Sequence, residues 1–256
     1  MPDSRPHIAV HDLTLAFGDF VVQRDLDFEI RHGDVFIIMG GSGCGKSTVL
    51  KAMIGLKRPS RGEVRFDGES FWAADESRQE AMKRHFGTLF QSGALWSSMT
   101  LAENVGLALE QYTALSARQI REVVAYKLML VGLTGFEDYY PSELSGGMKK
   151  RAGLARAMAL DPEILFFDEP SAGLDPITAK RLDDLIIELR ESLDTTVVVV
   201  THDLASIFAI GTNAVFLDAG SKTQLATGHP RELRDSHPDP VVRNFLTRGA
   251  AEAEPA

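Results

Sequence analysis

The chain has 256 residues, 44% hydrophobic and 25% charged, enough to bury a sizeable core in one or two domains. Its 36 acidic residues outnumber 27 basic ones for a net charge of −9, which argues against a dedicated nucleic-acid binder built on a basic surface. One cysteine, Cys44, excludes an intramolecular disulfide and points to a reducing compartment.

Met1 to Val10 carries no apolar core of the kind a signal peptide needs. No run approaches the roughly 20 apolar residues of a membrane helix, so the expectation is a cytoplasmic protein unless a partner holds it at a membrane. Ile8-Val10, Leu13-Leu15-Phe17 and Leu26-Phe28-Ile30 alternate with polar residues and predict half-buried antiparallel strands. Val35–Met39 is continuously apolar, the pattern of a strand buried on both faces.

That strand runs into Gly40-Gly41-Ser42-Gly43-Cys44-Gly45-Lys46-Ser47, which fits G-x-x-x-x-G-K-[ST] in the strand-to-helix context the pattern requires. Glycines let backbone N–H groups converge on phosphates, and the helix N-terminus adds partial positive charge. Lys46 is expected to reach the β- and γ-phosphates and Ser47 to ligate Mg²⁺. Cys44 reads as a small residue accommodated in the loop. The helix is predicted over Ser47–Gly55, and Val64 and Phe66 continue the β layer. Phe17, just before Gly18, can stack on adenine if exposed; Phe20 is the second candidate, and plain core is the alternative.

Phe86–Phe90 predicts a strand ending at Gln91, whose amide oxygen can ligand Mg²⁺ and then release it. Ser92 to Ala159 reads as helical, with capping boxes at Thr100-x-x-Glu103 and Ser116-x-x-Gln119. The second opens a helix with Ile120, Val123, Val124, Lys127, Leu128 and Val131 on one stripe. Leu144-Ser145-Gly146-Gly147-Met148 opens another helix and forms a second anion site. One chain cannot easily wrap both sites around one ATP, so two copies are expected to sandwich it, each lending its Ser145 turn to the other. Lys149, Lys150 and Arg151 read as a solvated helix face.

Ile164–Phe167 predicts a buried strand ending at Asp168-Glu169. Asp168 is placed for the Mg²⁺ shell and Glu169 for the general base acting on water. Asp175 is expected to cap a helix with Pro176 at its first position. Thr196–Val200 predicts a further buried strand, and His202 after it faces the Asp168 edge if the sheet is parallel, in reach of a γ-phosphate. Ala214–Leu217 and Gln224–Ala226 finish the β layer. Beyond Gly228, Val241, Val242, Phe245 and Leu246 form an apolar stripe that packs on a second subunit or on its own core. Ala250–Ala256 is expected to be disordered.

Together these motifs resemble the nucleotide-binding subunit of ABC transporters, from Phe17 to about Gly228. The resemblance identifies Phe17 as the A-loop aromatic, Gly40–Thr48 as Walker A, Gln91 as the Q-loop and Leu144–Met148 as the signature. Ile164–Glu169 matches Walker B, Ser171–Asp175 the D-loop and His202 the switch histidine. It implies an α/β P-loop NTPase with a RecA-like core, an antiparallel β subdomain and an inserted helical subdomain at about 92–159. The cassette spans 1–228, followed by a C-terminal extension at 229–256. ATP contacts fall to Phe17, Gly40, Gly41, Ser42, Gly43, Cys44, Gly45, Lys46, Ser47, Thr48, Gln91, Ser145, Gly146, Gly147 and His202. Metal ligands fall to Ser47, Gln91 and Asp168, the catalytic set to Glu169, His202, Lys46 and Gln91, and the dimer interface to Ser145, Gly147 and Asp175. The adenine-stacking residue departs from the pattern as Phe instead of Tyr, and Met148 stands where Gln is commonest.

Leu144-Ser145-Gly146-Gly147-Met148-Lys149-Lys150-Arg151 and Leu89-Phe90-Gln91-Ser92-Gly93-Ala94-Leu95 further resemble ATPases of MCE-type lipid transporters, which include the Mla systems of Gram-negative bacteria. So do Asp168–Ala179 and Pro238–Leu246. This implies a phospholipid-transport ATPase on the cytoplasmic face of the inner membrane. Its partners would be a second copy, a membrane permease, an MCE lipid-binding protein and a small STAS-domain protein, with no nucleic acid. An importer or exporter of a small polar solute is the alternative.

Overall fold

The computed structural model describes residues 5–247, which fall into two compact units: Arg84–Thr195, and the segments on either side of it. The expected disorder of Ala250–Ala256 concerns residues outside the described part.

The flanking unit begins with β1 (Ile8–Phe17) and β2 (Phe20–Ile30), paired antiparallel. The two apolar stretches predicted as separate, Ile8-Val10 and Leu13-Leu15-Phe17, are one strand broken by a bulge. Register slips between Val10 and Leu13, where Asp12 takes φ +48°, and the Asp12 N–H donates to the Asp27 carboxylate. β3 (Val35–Gly40) is buried along its whole length, as its unbroken apolar run predicts. α1 (Lys46–Met53) follows, then β4 (Arg61–Phe66), β5 (Glu69–Ser70) and α2 (Glu76–Lys83). Four of these strands form an antiparallel sheet ordered β2-β1-β4-β5.

His7 and His32 stack face to face, 3.8 Å and 12° apart, with Nε2 atoms 3.9 and 2.9 Å from the Asp67 carboxylate. One ligand atom from each of His7, His32 and Asp67 lies within 4.8 Å of the others, with His7 buried and the other two exposed. His7 Nδ1 lies 2.7 Å from Thr196 Oγ1.

The central unit holds β6 (Phe86–Leu89), α3 (Leu101–Tyr112), α4 (Ala117–Leu130), α5 (Gly146–Ala157), β7 (Ile164–Asp168) and α6 (Pro176–Leu193). β6 and β7 pair in parallel, Phe86 opposite Ile164 through Leu89 opposite Phe167. Both predicted capping boxes form, at Thr100 on α3 and Ser116 on α4. The α4 stripe buries Val124, Leu128 and also Lys127, whose ammonium reaches the Asp161 carboxylate. Helix α5 lies at backbone contact over β6: a Cβ on Gly87 would sit 2.2 Å from the Ala157 carbonyl oxygen. Only glycine permits that approach.

The chain returns to the flanking unit with β8 (Thr196–Val200), α7 (Leu204–Ile210), β9 (Asn213–Leu217), β10 (Gln224–Gly228), α8 (Pro230–Ser236) and α9 (Pro240–Thr247). β3 lies between β8 and β9, parallel to both, and β10 runs antiparallel to β9. Parallel order with helical crossovers is the doubly wound pattern of α/β proteins. The tail stripe packs on its own unit: Val242 and Leu246 are buried and Phe245 makes an edge contact with Phe216 of β9, while Val241 is exposed.

Thr100→Ala removes an N-cap whose hydroxyl accepts from the Glu103 N–H. It should lower unfolding free energy by about 1 kcal/mol, read from the urea midpoint at unchanged m-value; an unchanged midpoint would mean that α3 ends are held by packing alone.

Candidate functional site

In the flanking unit the site grows from the end of β3. Register matches Ile38 with Val200, and Gly40 with Leu217. Two residues past Ile38 the chain enters the phosphate loop, and two past Val200 it reaches His202, so both issue from the carboxyl edge of parallel strands. Gly40 has φ +145°, and a Cβ there would lie 2.2 Å from the Leu217 carbonyl oxygen. Gly41, Ser42 and Gly43 are exposed on the loop crest. Gly45 (φ +96°) hands over to α1, which starts at Lys46 with Ser47 and Thr48 in its first turn. The Lys46 ammonium is buried and folds back over the loop, donating to the carbonyls of Gly40 (3.0 Å) and Gly41 (2.9 Å). This loop offers successive N–H groups, a helix N-terminus and one cation to an anion.

Cys44 is buried beneath the crest, and burial pushes its thiol pKa up. That agrees with its reading as a small packed residue. Phe17 is 58% exposed at the β1–β2 hairpin, with the Lys57 ammonium 4.2 Å from its ring centroid. Phe20 is 62% exposed and carries Lys222 at 4.7 Å. Neither aromatic is core, so each offers an open face. His202 is exposed, one residue before Asp203, which caps α7 by accepting from the Ala205 N–H.

In the central unit Gln91 lies two residues beyond β6, and Asp168 and Glu169 lie at the end of β7, next to β6. Glu169 takes a left-handed φ of +49°, which turns the chain sharply after the strand. Ser145 caps α5, its hydroxyl accepting from the Met148 N–H at 3.3 Å, and Gly146 and Gly147 form the first turn. Asp175 caps α6 as predicted, accepting from the N–H groups of Ile177 and Thr178, both at 3.1 Å. Hydrogen bonding from Thr178 holds the Asp175 carboxyl below the ordinary aspartate range. A groove of about 550 Å³ runs along this face, with Ser145, Gly147, Leu174 and Thr178 in its wall. A second, of about 210 Å³, lies between β6, α3 and α5, with Trp96, Gln111 and Arg156 along it.

One expectation fails here. Lys150 is not on a solvated face: it is buried, and its ammonium donates to the Gln91 carbonyl and, at 3.4 Å, to that of Glu169. The basic run hid it because helical spacing turns Lys149, Lys150 and Arg151 about 100° apart, onto different faces. Gln23 is a second buried polar residue that its sequence pattern does not signal. Its side-chain amide donates to the carbonyls of Cys44 (2.6 Å) and Asp218 (2.9 Å), tying the phosphate loop to the turn after β9. Asp25, at φ +50°, shifts the alternation of β2, so simple parity gives Gln23 no buried place.

Residues 23–172 match the family described as ABC transporter. The chain is 41% identical over 239 residues to a probable ribonucleotide transport ATP-binding protein, mkl, of Mycobacterium leprae, covering 93% of this chain and 68% of that one. It is 40% identical over 239 residues to the intermembrane phospholipid transport system ATP-binding protein MlaF of Escherichia coli K12, covering 93% and 88%. Among solved structures, a dimeric ATP-binding cassette in a post-hydrolysis state with ADP and Pi matches with a TM-score of 0.79 and 30% identity, over 87% of this chain and 98% of the other. The cbiO1 subunit of the Clostridium perfringens cbiONQ transporter matches with a TM-score of 0.79 and 29% identity, over 89% and 90%.

The buried thiol makes a simple prediction. At pH 8 a disulfide reagent should label Cys44 far more slowly in the native protein than in urea, because both access and thiolate fraction are reduced. Equal rates would show that the phosphate loop opens freely.

Proposed function

The chain belongs to the ABC transporter family and is an ATP-binding ATPase subunit, and from that premise we propose that it powers phospholipid transport through an MCE/Mla-type complex. The similarity to MlaF, 40% over 93% of the chain and 88% of the relative, carries this reading. No helix among the described residues is long and apolar enough to cross a membrane. In this reading a permease subunit supplies the transport path, and this subunit sits on its cytoplasmic face. The groove flanked by Trp96 and Gln111 suits a short permease helix, and an MCE protein and a small STAS-domain protein complete the assembly.

Two copies hold two ATP molecules, each between the phosphate loop of one and the Ser145 turn of the other; the dimeric cassettes among the structural matches support this arrangement. Gly147 and Asp175 join Ser145 at the interface. Phe17 stacks on adenine, the loop N–H groups and Lys46 hold the phosphates, and Ser145, Gly146 and Gly147 cap the γ-phosphate from the other copy. Ser47, Gln91 and Asp168 present a hydroxyl, an amide oxygen and a carboxylate, the all-oxygen donor set that suits Mg²⁺. When bound, that ion neutralises charge on the β- and γ-phosphates. Glu169 accepts a proton from water as the water oxygen bonds to the γ-phosphorus. The bond to the bridging oxygen breaks, leaving ADP and inorganic phosphate. Lys46 and His202 stabilise charge on the γ-phosphoryl oxygens. Loss of the γ-phosphate link reopens the dimer.

Transport of a small polar solute is the second reading, favoured by the ribonucleotide transport named for the mycobacterial relative. Purifying the complex in native membrane lipids separates the two. An MCE protein and bound phospholipid identify the first; a soluble solute-binding partner identifies the second.

Glu169→Gln should bind ATP, accumulate as an ATP-loaded dimer on size exclusion, and lose turnover by ~10²–10⁴-fold. Near-normal hydrolysis would remove Glu169 from the base role. Ser145→Arg should abolish turnover while leaving ATP affinity of the monomer nearly intact; weakened monomer binding would argue against action in trans.

A further inference from the structure

Lys150 is a buried cation to which the hydrolysis described above gives no task. It lies in the second turn of α5, 6% exposed, with its ammonium on the Gln91 carbonyl and within 3.4 Å of the Glu169 carbonyl. Burial lowers its pKa, and the charges of Asp168 and Glu169 oppose that shift, which places both carboxylates within electrostatic reach. A lysine suits this position chemically. Its three donors sit on one rotatable centre, so a single side chain can serve two carbonyls that follow different strands.

The same helix begins at Ser145. Five residues along an α-helix span about 7.5 Å, so the signature turn and the Lys150 ammonium belong to one rigid rod. That rod is fixed on β6, because α5 meets it at backbone contact through Gly87. Downstream, Glu169 holds a left-handed backbone that a non-glycine residue adopts only when its surroundings impose it. A hydrogen bond to the Glu169 carbonyl is one such restraint.

We propose that Lys150 is a positioning residue that ties the Ser145 helix to the backbone of Gln91 and Glu169, so that both move with the helix engaging the other copy. This rests on the roles given above to Ser145, Gln91 and Glu169. It makes each protomer a lever: the end that caps the partner's nucleotide and the carboxylate that serves its own share one strut. Engagement at one ATP thereby sets the geometry at the other.

The test compares Lys150→Met, Lys150→Arg and Glu169→Gln in the full-length protein, with steady-state hydrolysis and equilibrium binding of a fluorescent ATP analogue. Lys150→Met, similar in size but without donors, should lower kcat by ~10- to 100-fold, the scale of a misplaced catalytic group, and leave nucleotide affinity within about twofold. Lys150→Arg, which keeps charge and donors, should recover most of the loss. Should Met not be tolerated in folding, Lys150→Gln, polar but short of reach, replaces it with the same expectation. Unchanged kcat in the donorless variant overturns the proposal, as does a loss of nucleotide affinity equal to the loss of kcat, or failure of Arg to recover activity. Normal kcat in Lys150→Met beside an inactive Glu169→Gln removes only this inference. Normal turnover in Glu169→Gln removes the assignment on which it rests.

Discussion

At the end of β3 the backbone has no space for a side chain. The Leu217 carbonyl of the neighbouring strand stands where the first atom of any side chain on Gly40 would go. The chain must leave the sheet along a glycine-only path, and that path makes the following N–H groups converge over the start of α1. Lys46, Ser47 and the helix dipole are placed by the same turn. The surroundings hold the loop there: Gln23 grips the Cys44 carbonyl from below, and the Cys44 side chain fills the space under the crest. The loop geometry proposed to hold phosphate is thus a by-product of how tightly β3 and β9 pack.

The central unit meets a different demand. It presents a serine turn at one end of a helix and carries, just beyond two short strands, the residues proposed to act on water. β6 and β7 are four and five residues long and pair in parallel over four residues. Two buried cations add ties to this packing. Lys127 joins α4 to Asp161 in the turn after α5, and Lys150 joins α5 to the residues after both strands. Removing one partner of such a contact leaves a buried charge uncompensated, which costs more than the contact contributes.

What the sequence disclosed follows from the range of the physics involved. The phosphate loop, the capping boxes at Thr100 and Ser116 and the Asp175-Pro176 helix start rest on contacts spanning a few residues, and each forms as read. The burial of β3 was legible because its apolar run is unbroken. Gln23 and Lys150 were not legible, because their partners lie 21 and 59 residues away and neither residue type advertises burial. A bulge reverses the alternation of β1, and periodicity cannot tell a bulge from a strand end. The tail stripe was equally compatible with two partners, and only its contact with Phe216 distinguishes them.

The adenine-stacking role proposed for the aromatic at the β1–β2 hairpin has a consequence for selectivity. Phe17 presents a flat hydrocarbon face with a lysine behind it, and it lacks the hydroxyl that a tyrosine would add. A π-face does not distinguish a donor from an acceptor, so stacking alone reads purines by area and polarisability. In the proposed site, recognition then rests on the triphosphate, which every nucleoside triphosphate shares. In such a design the fuel is chosen by abundance in the cell, and the base serves as ballast that orients the phosphates.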